Sequence, residues 1–302
     1  MNFTVVIPTY NAGPMWQEAI LAIKRQTLCP AKVVVIDSSS TDNTAQIALD
    51  SGFEVHIIDK ANFDHGGTRS SALEFVDTEF VVFLTQDAVL NGVEDISQLL
   101  MVFQNELIGA VYGRQLPHFD ANPLAKYARE NSYGNESYIT TLSDEYPKGF
   151  RKAFMSNSFA AYRLSVLNDV GGFPSKLILG EDSFVAARIL TSGRAVAYVA
   201  EACVRHSHNY SVNEEFKRYF DIGVFHSTQS WMLDELGGVE GEGVKFALGQ
   251  LRYMCSLSKF YYIPVTFFSS IAKYVGYRLG RNYHVFSLAQ CRKFSMYKSY
   301  WS

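Results

Sequence analysis

Cysteine is scarce and scattered. Cys29, Cys203, Cys255 and Cys291 form no Cys-x-x-Cys pair, so neither a zinc site nor a disulfide framework is predicted. No apolar run approaches the roughly twenty residues a membrane-crossing helix needs. The nearest, FYYIPVTFFSSIA at 260–272, is thirteen residues between Lys259 and Lys273. The opening MNFTVVIPTYN has no basic stretch and no long apolar core, which predicts a cytoplasmic chain without a secretory signal. No Gly-x-Gly-x-x-Gly follows the first apolar run, and no Gly-x-x-x-x-Gly-Lys-Ser/Thr occurs. A dinucleotide oxidoreductase or a P-loop enzyme is therefore not expected. A net charge of only −3 gives no reason to expect a nucleic-acid partner.

The chain does have length, aromatics and an uneven charge. Its 302 residues are enough to bury roughly three-quarters of the surface exposed by the unfolded chain. Residues 243–302 carry nine Lys and Arg, no Asp or Glu, and fifteen aromatics. Residues 1–242 hold eighteen basic against thirty acidic residues, a net −12. This break divides the chain into a main domain, 1–240, and a helical, basic-aromatic region, 241–302. Cations interleaved with Phe, Tyr and Trp suit an interfacial helix on anionic lipid, and such a face could equally self-associate. The region is thus expected to bind a membrane surface or to form a homo-oligomer.

The first hundred residues alternate strand and helix. Strands are predicted at 3–7, 32–37, 54–58 and 80–84, and helices at 14–28, from about 42, and at 68–75 after the Gly66-Gly67 break. Such alternation gives a parallel sheet covered on both faces, with ligands bound beyond the carboxyl ends of the strands. Polar side chains collect at those ends: Thr9 and Asn11, Asp37 and Ser39, Asp64, His65 and Arg69, then Gln86 and Asp87. Such a site suits a nucleotide held by carboxylates and hydroxyls, with a metal on its phosphates.

Six segments carry a resemblance: VVIPTYN at 5–11, VVVIDSSSTDNT at 33–44, FDHGGTRSSAL at 63–73, FLTQDA at 83–88, GGFPSKLILGEDSFVAARIL at 171–190 and VRHSHNYS at 204–211. In this order they resemble the family-2 inverting glycosyltransferases with the GT-A fold, a Rossmann-like mixed α/β sheet that binds nucleotide sugars. HGGTR, TQDA, YGRQLP at 112–117, and HSHNYS followed by EFKRYFDIG are similar to the bacterial rhamnosyltransferases of O-antigen and cell-surface polysaccharide synthesis. The resemblance implies transfer of L-rhamnose from dTDP-L-rhamnose to a lipid-linked (polyprenyl diphosphate) glycan at the inner face of the plasma membrane. Two alternatives stand beside it: the same fold with another nucleotide hexose, UDP-glucose or UDP-galactose, and a degenerate nucleotide-sugar-binding scaffold. The intact Glu181-Asp182 pair favours a working enzyme.

The expected reaction sets the residue roles. An acceptor hydroxyl attacks the anomeric carbon and a nucleoside diphosphate leaves. Asp182 is expected to be the general base, with Glu181 as rival. Asp87 is expected to ligate a divalent metal, Mg²⁺ or Mn²⁺. Many relatives carry Asp-x-Asp here; Thr85-Gln86-Asp87 keeps only the second acid. Mg²⁺ manages with one or two carboxylates, and His206 or His208 would add a nitrogen better suited to Mn²⁺. The resemblance implies Asp37 on the thymine N–H; Thr9 and Asn11 are expected along the nucleoside, and His65 and Arg69 at the diphosphate. Ser39, Asp64 and Gln86 complete the expected donor site. Tyr127, Tyr133, Tyr138 and Tyr146 are candidates for sugar stacking, and Asn157-Ser158 for the acceptor side.

Overall fold

A computed structural model describes residues 1–238 and 241–301. The first half runs β1 (Phe3–Thr9), α1 (Met15–Lys24), β2 (Lys32–Asp37), α2 (Thr44–Asp50), β3 (Glu54–Ile57), α3 (His65–Ala72), β4 (Phe80–Leu84), β5 (Val89–Leu90), α4 (Asp95–Met101). The second half runs β6 (Ile108–Leu116), α5 (Pro123–Ser132), β7 (Tyr138–Thr140), β8 (Phe159–Arg163), α6 (Leu164–Asp169), α7 (Glu181–Thr191), β9 (Ala195–Arg205). Helices follow: α8 (Val212–Thr228), α9 (Ser230–Leu236), α10 (Glu242–Ser256), α11 (Ile263–Arg281) and α12 (Leu288–Phe294).

The four predicted strands form the parallel half of one nine-stranded sheet, ordered β3-β2-β1-β4. β8 then joins β4 antiparallel, and β6, β9 and β5 continue the sheet, with β7 also on β9. Every residue of β4 is buried, as expected for a strand covered on both faces. Successive side chains point to opposite faces. Val6, Val34, Val81 and Phe83 therefore enter one core with α6, α7 and α8. Phe3, Val5, Val35 and Val82 enter the other with Trp16 and Ile20 of α1 and Leu99 of α4.

One boundary differs in an instructive way. Gly66-Gly67 reads as a break before a helix at 68, but α3 begins at His65 and contains both glycines. Asp64 caps this helix, accepting from Gly67 N, and it also accepts from Lys176 N at 3.1 Å. A Cβ on Gly66 would lie 1.8 Å from the Pro174 carbonyl oxygen. The glycine is there for close approach of α3 to the loop before α7, and this brings His65 and Arg69 beside Glu181.

Of residues 241–301, α11 and α12 pack along α8, and α10 lies against α5 and α11. α11 turns a face of small or polar residues inward, with Thr266, Ser269, Lys273, Gly276 and Gly280 buried. A Cβ on Gly276 would meet Phe216 O at 2.3 Å, and one on Gly280 would meet Phe220 O at 2.0 Å, so the two helix backbones touch. The opposite face leaves Phe267, Phe268, Ile271 and Tyr274 exposed, next to exposed Phe260 and Tyr261. No helix among the described residues is long and apolar enough to cross a membrane. Beyond α12 the chain returns to α8, where Asp221 accepts from Met296 N at 2.8 Å and Trp301 packs near Phe220 and Tyr283.

Candidate active site

β1 and β2 end side by side, Thr9 opposite Asp37. Thr9 Oγ1 donates to Asp37 Oδ2 at 2.8 Å, and Ser40 adds its backbone N–H at 2.8 Å and its hydroxyl at 2.6 Å. Both Thr9 and Asp37 are buried, so they brace the loop mouth. Asn11 Oδ1 accepts from Thr41 N at 2.8 Å, and Ser39 Oγ donates to Ile58 O at 2.7 Å. Both residues adopt positive φ, 45° and 58°, tolerated where short polar side chains bond locally. Gln86 Oε1 accepts from Tyr10 N at 2.7 Å and Nε2 donates to Tyr10 O at 3.2 Å. The exposed Tyr10 ring, with Lys60 Nζ 2.6 Å from its hydroxyl, is a flat cation-flanked platform beside these loops.

β4 delivers Asp87, and β9 delivers His206 and His208 just past its end. A bulge in β9 sets their position: its pairing with β6 jumps from Gly113–Val199 to Arg114–Cys203. Asp87 Oδ2 lies 3.4 Å from His206 Nε2 and 3.9 Å from His208 Nε2. One donor atom from each of the three residues lies within 4.8 Å of the others. His206 Nδ1 faces Gln115 Oε1 at 3.0 Å; an N–H there leaves Nε2 as the free lone pair, the usual device for orienting a ligating histidine. Gln115 Nε2 donates to Ser156 Oγ at 2.9 Å. Burial alone would raise the Asp87 carboxyl, but the hydrogen bond and charge of His206 hold it well below the usual range. Burial, with His206 beside it, lowers His208 to about 4. One carboxylate oxygen and two imidazole nitrogens make a donor set that fits a divalent cation of the Mn²⁺ or Mg²⁺ class. Bound there, such an ion supplies Lewis-acid stabilisation of a leaving diphosphate.

Asp182 opens α7 and lines a cavity of about 490 Å³ that also takes in Thr85, His206 and His208. Its Oδ2 accepts from Asn157 N at 3.1 Å and its Oδ1 from Ser183 N at 2.7 Å. Burial, then the adjacent Glu181 charge, raises its carboxyl to about 7. Glu181 goes the other way. Burial opposes its ionisation, yet Arg69, with Nη1 3.1 Å from its Oε1, holds it ionised. Asn157 bridges the pair, its Nδ2 3.2 Å from Glu181 Oε1, while Tyr162 Oη donates to Asn157 Oδ1 at 2.7 Å. Two neighbouring acids thus have different proton affinities, the pattern that separates a base from a charge partner.

The predicted residues fall into three groups. Asp87, His206 and His208 meet at one point, and Asp182 shares a cavity with the two histidines. Thr9, Asn11, Asp37, Ser39 and Gln86 form the mouth beyond the β1 and β2 ends. His65 and Arg69 line the cavity, but Arg69 is engaged by Glu181 and by the His65 carbonyl at 2.9 Å, and Asp64 serves as a helix cap. Of the four candidate tyrosines only Tyr133 lines the cavity; Tyr127 packs on Phe246 and Tyr253. Sequence reasoning missed Gln115, Tyr10, Arg129, Arg218 and Tyr297. Tyr297 reaches the cavity from beyond α12 and sits edge-on to His65 at 5.0 Å. Gln115 inside YGRQLP, Tyr10 inside VVIPTYN and Arg218 inside EFKRYFDIG lay in stretches already singled out as informative, whereas Arg129 and Tyr297 did not.

Comparison with known proteins gives the family and the fold. Residues 4–171 match the family "Glycosyl transferase family 2". The O-antigen chain rhamnosyltransferase RfbN of Salmonella typhimurium is 47% identical over 304 residues, covering 100% of this chain and 96% of that protein. WbaN of Salmonella anatum, of the same description, is 46% identical with the same coverage. Among solved structures, the mannosyltransferase PcManGT from Pyrobaculum calidifontis, in complex with GDP-Man and Mn²⁺, superposes with a TM-score of 0.59 at 16% identity. That superposition covers 99% of this chain and 84% of the other, a likeness of fold. A family match over residues 4–171 and relatives matching along the whole chain, on a mixed sheet of the GT-A kind, make this protein a glycosyltransferase belonging to glycosyl transferase family 2.

Proposed function

We propose that the chain transfers L-rhamnose from dTDP-L-rhamnose to a hydroxyl of a lipid-linked glycan, with anomeric inversion. The observation that carries this reading is a buried carboxylate of raised proton affinity, Asp182, in one cavity with the imidazoles that face Asp87. Its likeness to O-antigen rhamnosyltransferases over the full chain supports the choice of sugar and setting. The acceptor oxygen attacks the anomeric carbon opposite the nucleotide, and its proton passes to an Asp182 oxygen. The bond from the anomeric carbon to the β-phosphate oxygen breaks, and the nucleoside diphosphate keeps the electron pair. Asp87, His206 and His208 would hold the divalent ion beside that diphosphate. Thr9, Asn11, Asp37 and Ser39 would frame the nucleoside, with Gln86 supporting Tyr10. Hydrolysis of dTDP-L-rhamnose, UDP-glucose and UDP-galactose with Mn²⁺ tests the donor. The expected result is cleavage of the dTDP sugar at least tenfold faster than either UDP sugar; preference for a UDP hexose would replace rhamnose in this reading.

The same reading places the protein on the inner face of the membrane through residues 241–302. Its support is the exposed row Phe260, Tyr261, Phe267, Phe268, Ile271 and Tyr274, within residues 243–302, which hold no Asp or Glu. Rings at headgroup depth and cations against anionic lipid each contribute, about 1 kcal/mol per basic residue near the surface. In flotation with vesicles containing phosphatidylglycerol, the protein is expected to float at low salt. Phe267→Ser/Phe268→Ser should release it, and equal binding to neutral and anionic vesicles would contradict the electrostatic part.

A further inference from the structure

The cavity does not end at Asp182. It continues between α5 and α8, away from Thr9, Asn11, Asp37 and Gln86, none of which lines it. There its wall carries two arginines, Arg129 on α5 and Arg218 on α8. Both are partly buried, and among the described residues neither has a carboxylate oxygen within 4 Å. Glu215, one turn before Arg218, is taken by Lys273 at 3.1 Å. Asp221, one turn after, accepts from Met296 N. Arg218 Nη1 donates to Tyr210 Oη at 3.4 Å. Arg129 donates through Nη1 to Gln115 Oε1, and its Nε is buried without a partner.

Two guanidinium groups held partly out of water with no carboxylate in direct contact leave donors open to a ligand that supplies negative charge. The planar guanidinium fork matches phosphate oxygens in pairs. Asp87 and the two imidazoles already mark one diphosphate position at the donor end. We propose that Arg129 and Arg218 form a second diphosphate subsite, which grips the diphosphate of the acceptor rather than that of the donor. The inference rests on the transferase reading above and extends it: the acceptor sugar lies between Asp182 and this subsite, with Tyr210, Tyr219 and Tyr297 as the surrounding rings. Recognition of the lipid linkage is then built into the cavity itself, separately from any contact with the membrane.

The probe is geranyl diphosphate, titrated calorimetrically into protein saturated with dTDP and Mn²⁺. The full chain is expected to bind it while the nucleotide stays bound. Arg129→Gln and Arg218→Gln should each weaken that binding about tenfold or more, the scale of a lost charge-assisted hydrogen bond, with dTDP affinity changed less than twofold. Arg218→Lys, which keeps the charge and loses the fork, should fall between, and its retained dTDP binding reports an intact fold. No binding of geranyl diphosphate to the dTDP-loaded protein would overturn the subsite. So would an equal loss of dTDP and geranyl diphosphate affinity in the variants, which assigns the arginines to the leaving group. Cleavage of dTDP-L-rhamnose by the unaltered protein is independent of both outcomes and keeps the transferase reading separate.

Discussion

Asp182→Asn is expected to lower turnover by about 10²–10⁴-fold, the usual contribution of a positioned general base, while dTDP affinity stays within a few-fold. The amide keeps the shape and an acceptor oxygen for one of the two N–H groups, of Asn157 and Ser183, that bond different carboxyl oxygens, but it cannot take the acceptor proton. The pH profile gives a second readout. A base works when unprotonated, and burial with the Glu181 charge raises the Asp182 carboxyl to about 7. The rate should therefore fall about tenfold per pH unit below that value and level off above it. A carboxylate at an ordinary value near 4 would leave the profile flat down to about pH 5. Single-turnover transfer between pH 5 and 8.5 decides the matter, and a flat profile with a near-normal Asn variant removes Asp182 from the chemistry.

The second large effect is expected at Asp87. Asp87→Ala should abolish the gain in dTDP affinity that Mn²⁺ gives the unaltered protein, and should lower transfer by at least 10²-fold. The variant removes the one carboxylate among three clustered donor groups. His206→Ala should follow it closely. Gln115→Leu should cost less, on the order of 10–100-fold in metal affinity, because it frees the imidazole without removing it. Nucleotide titrations with and without Mn²⁺ are the check. If chelation leaves dTDP affinity and transfer unchanged in the unaltered protein, the cluster has another purpose.

Much of the fold was legible because its first half is locally encoded. Val33–Ile36 and Phe80–Leu84 are short runs too apolar to face water on either side, and each ends in polar residues where a parallel strand stops. The second half was less readable. β6, β8 and β9 owe their pairing to partners fifty to ninety residues away, and no local period announces such registers. The site divides along the same line. Asp37, Asp87 and Asp182 stand at the ends of readable elements. Arg69 sits where a diphosphate contact was expected, but its partner was settled by Gly66 allowing α3 against the Pro174 loop. Tyr297 comes from a region whose composition spoke of surface, yet the chain beyond α12 returns to α8 and carries it to the cavity.

The lone acid of Thr85-Gln86-Asp87 bears on the order of events. One carboxylate and two neutral rings leave a dication with an uncompensated charge of about one, and a diphosphate completes the neutralisation. On the proposed reading the ion and the nucleotide are each weak visitors alone and strong ones together, and thermodynamic reciprocity makes the mutual gain equal. The two would then arrive and depart as a pair, and the slow step after transfer would be the escape of that pair rather than of either member.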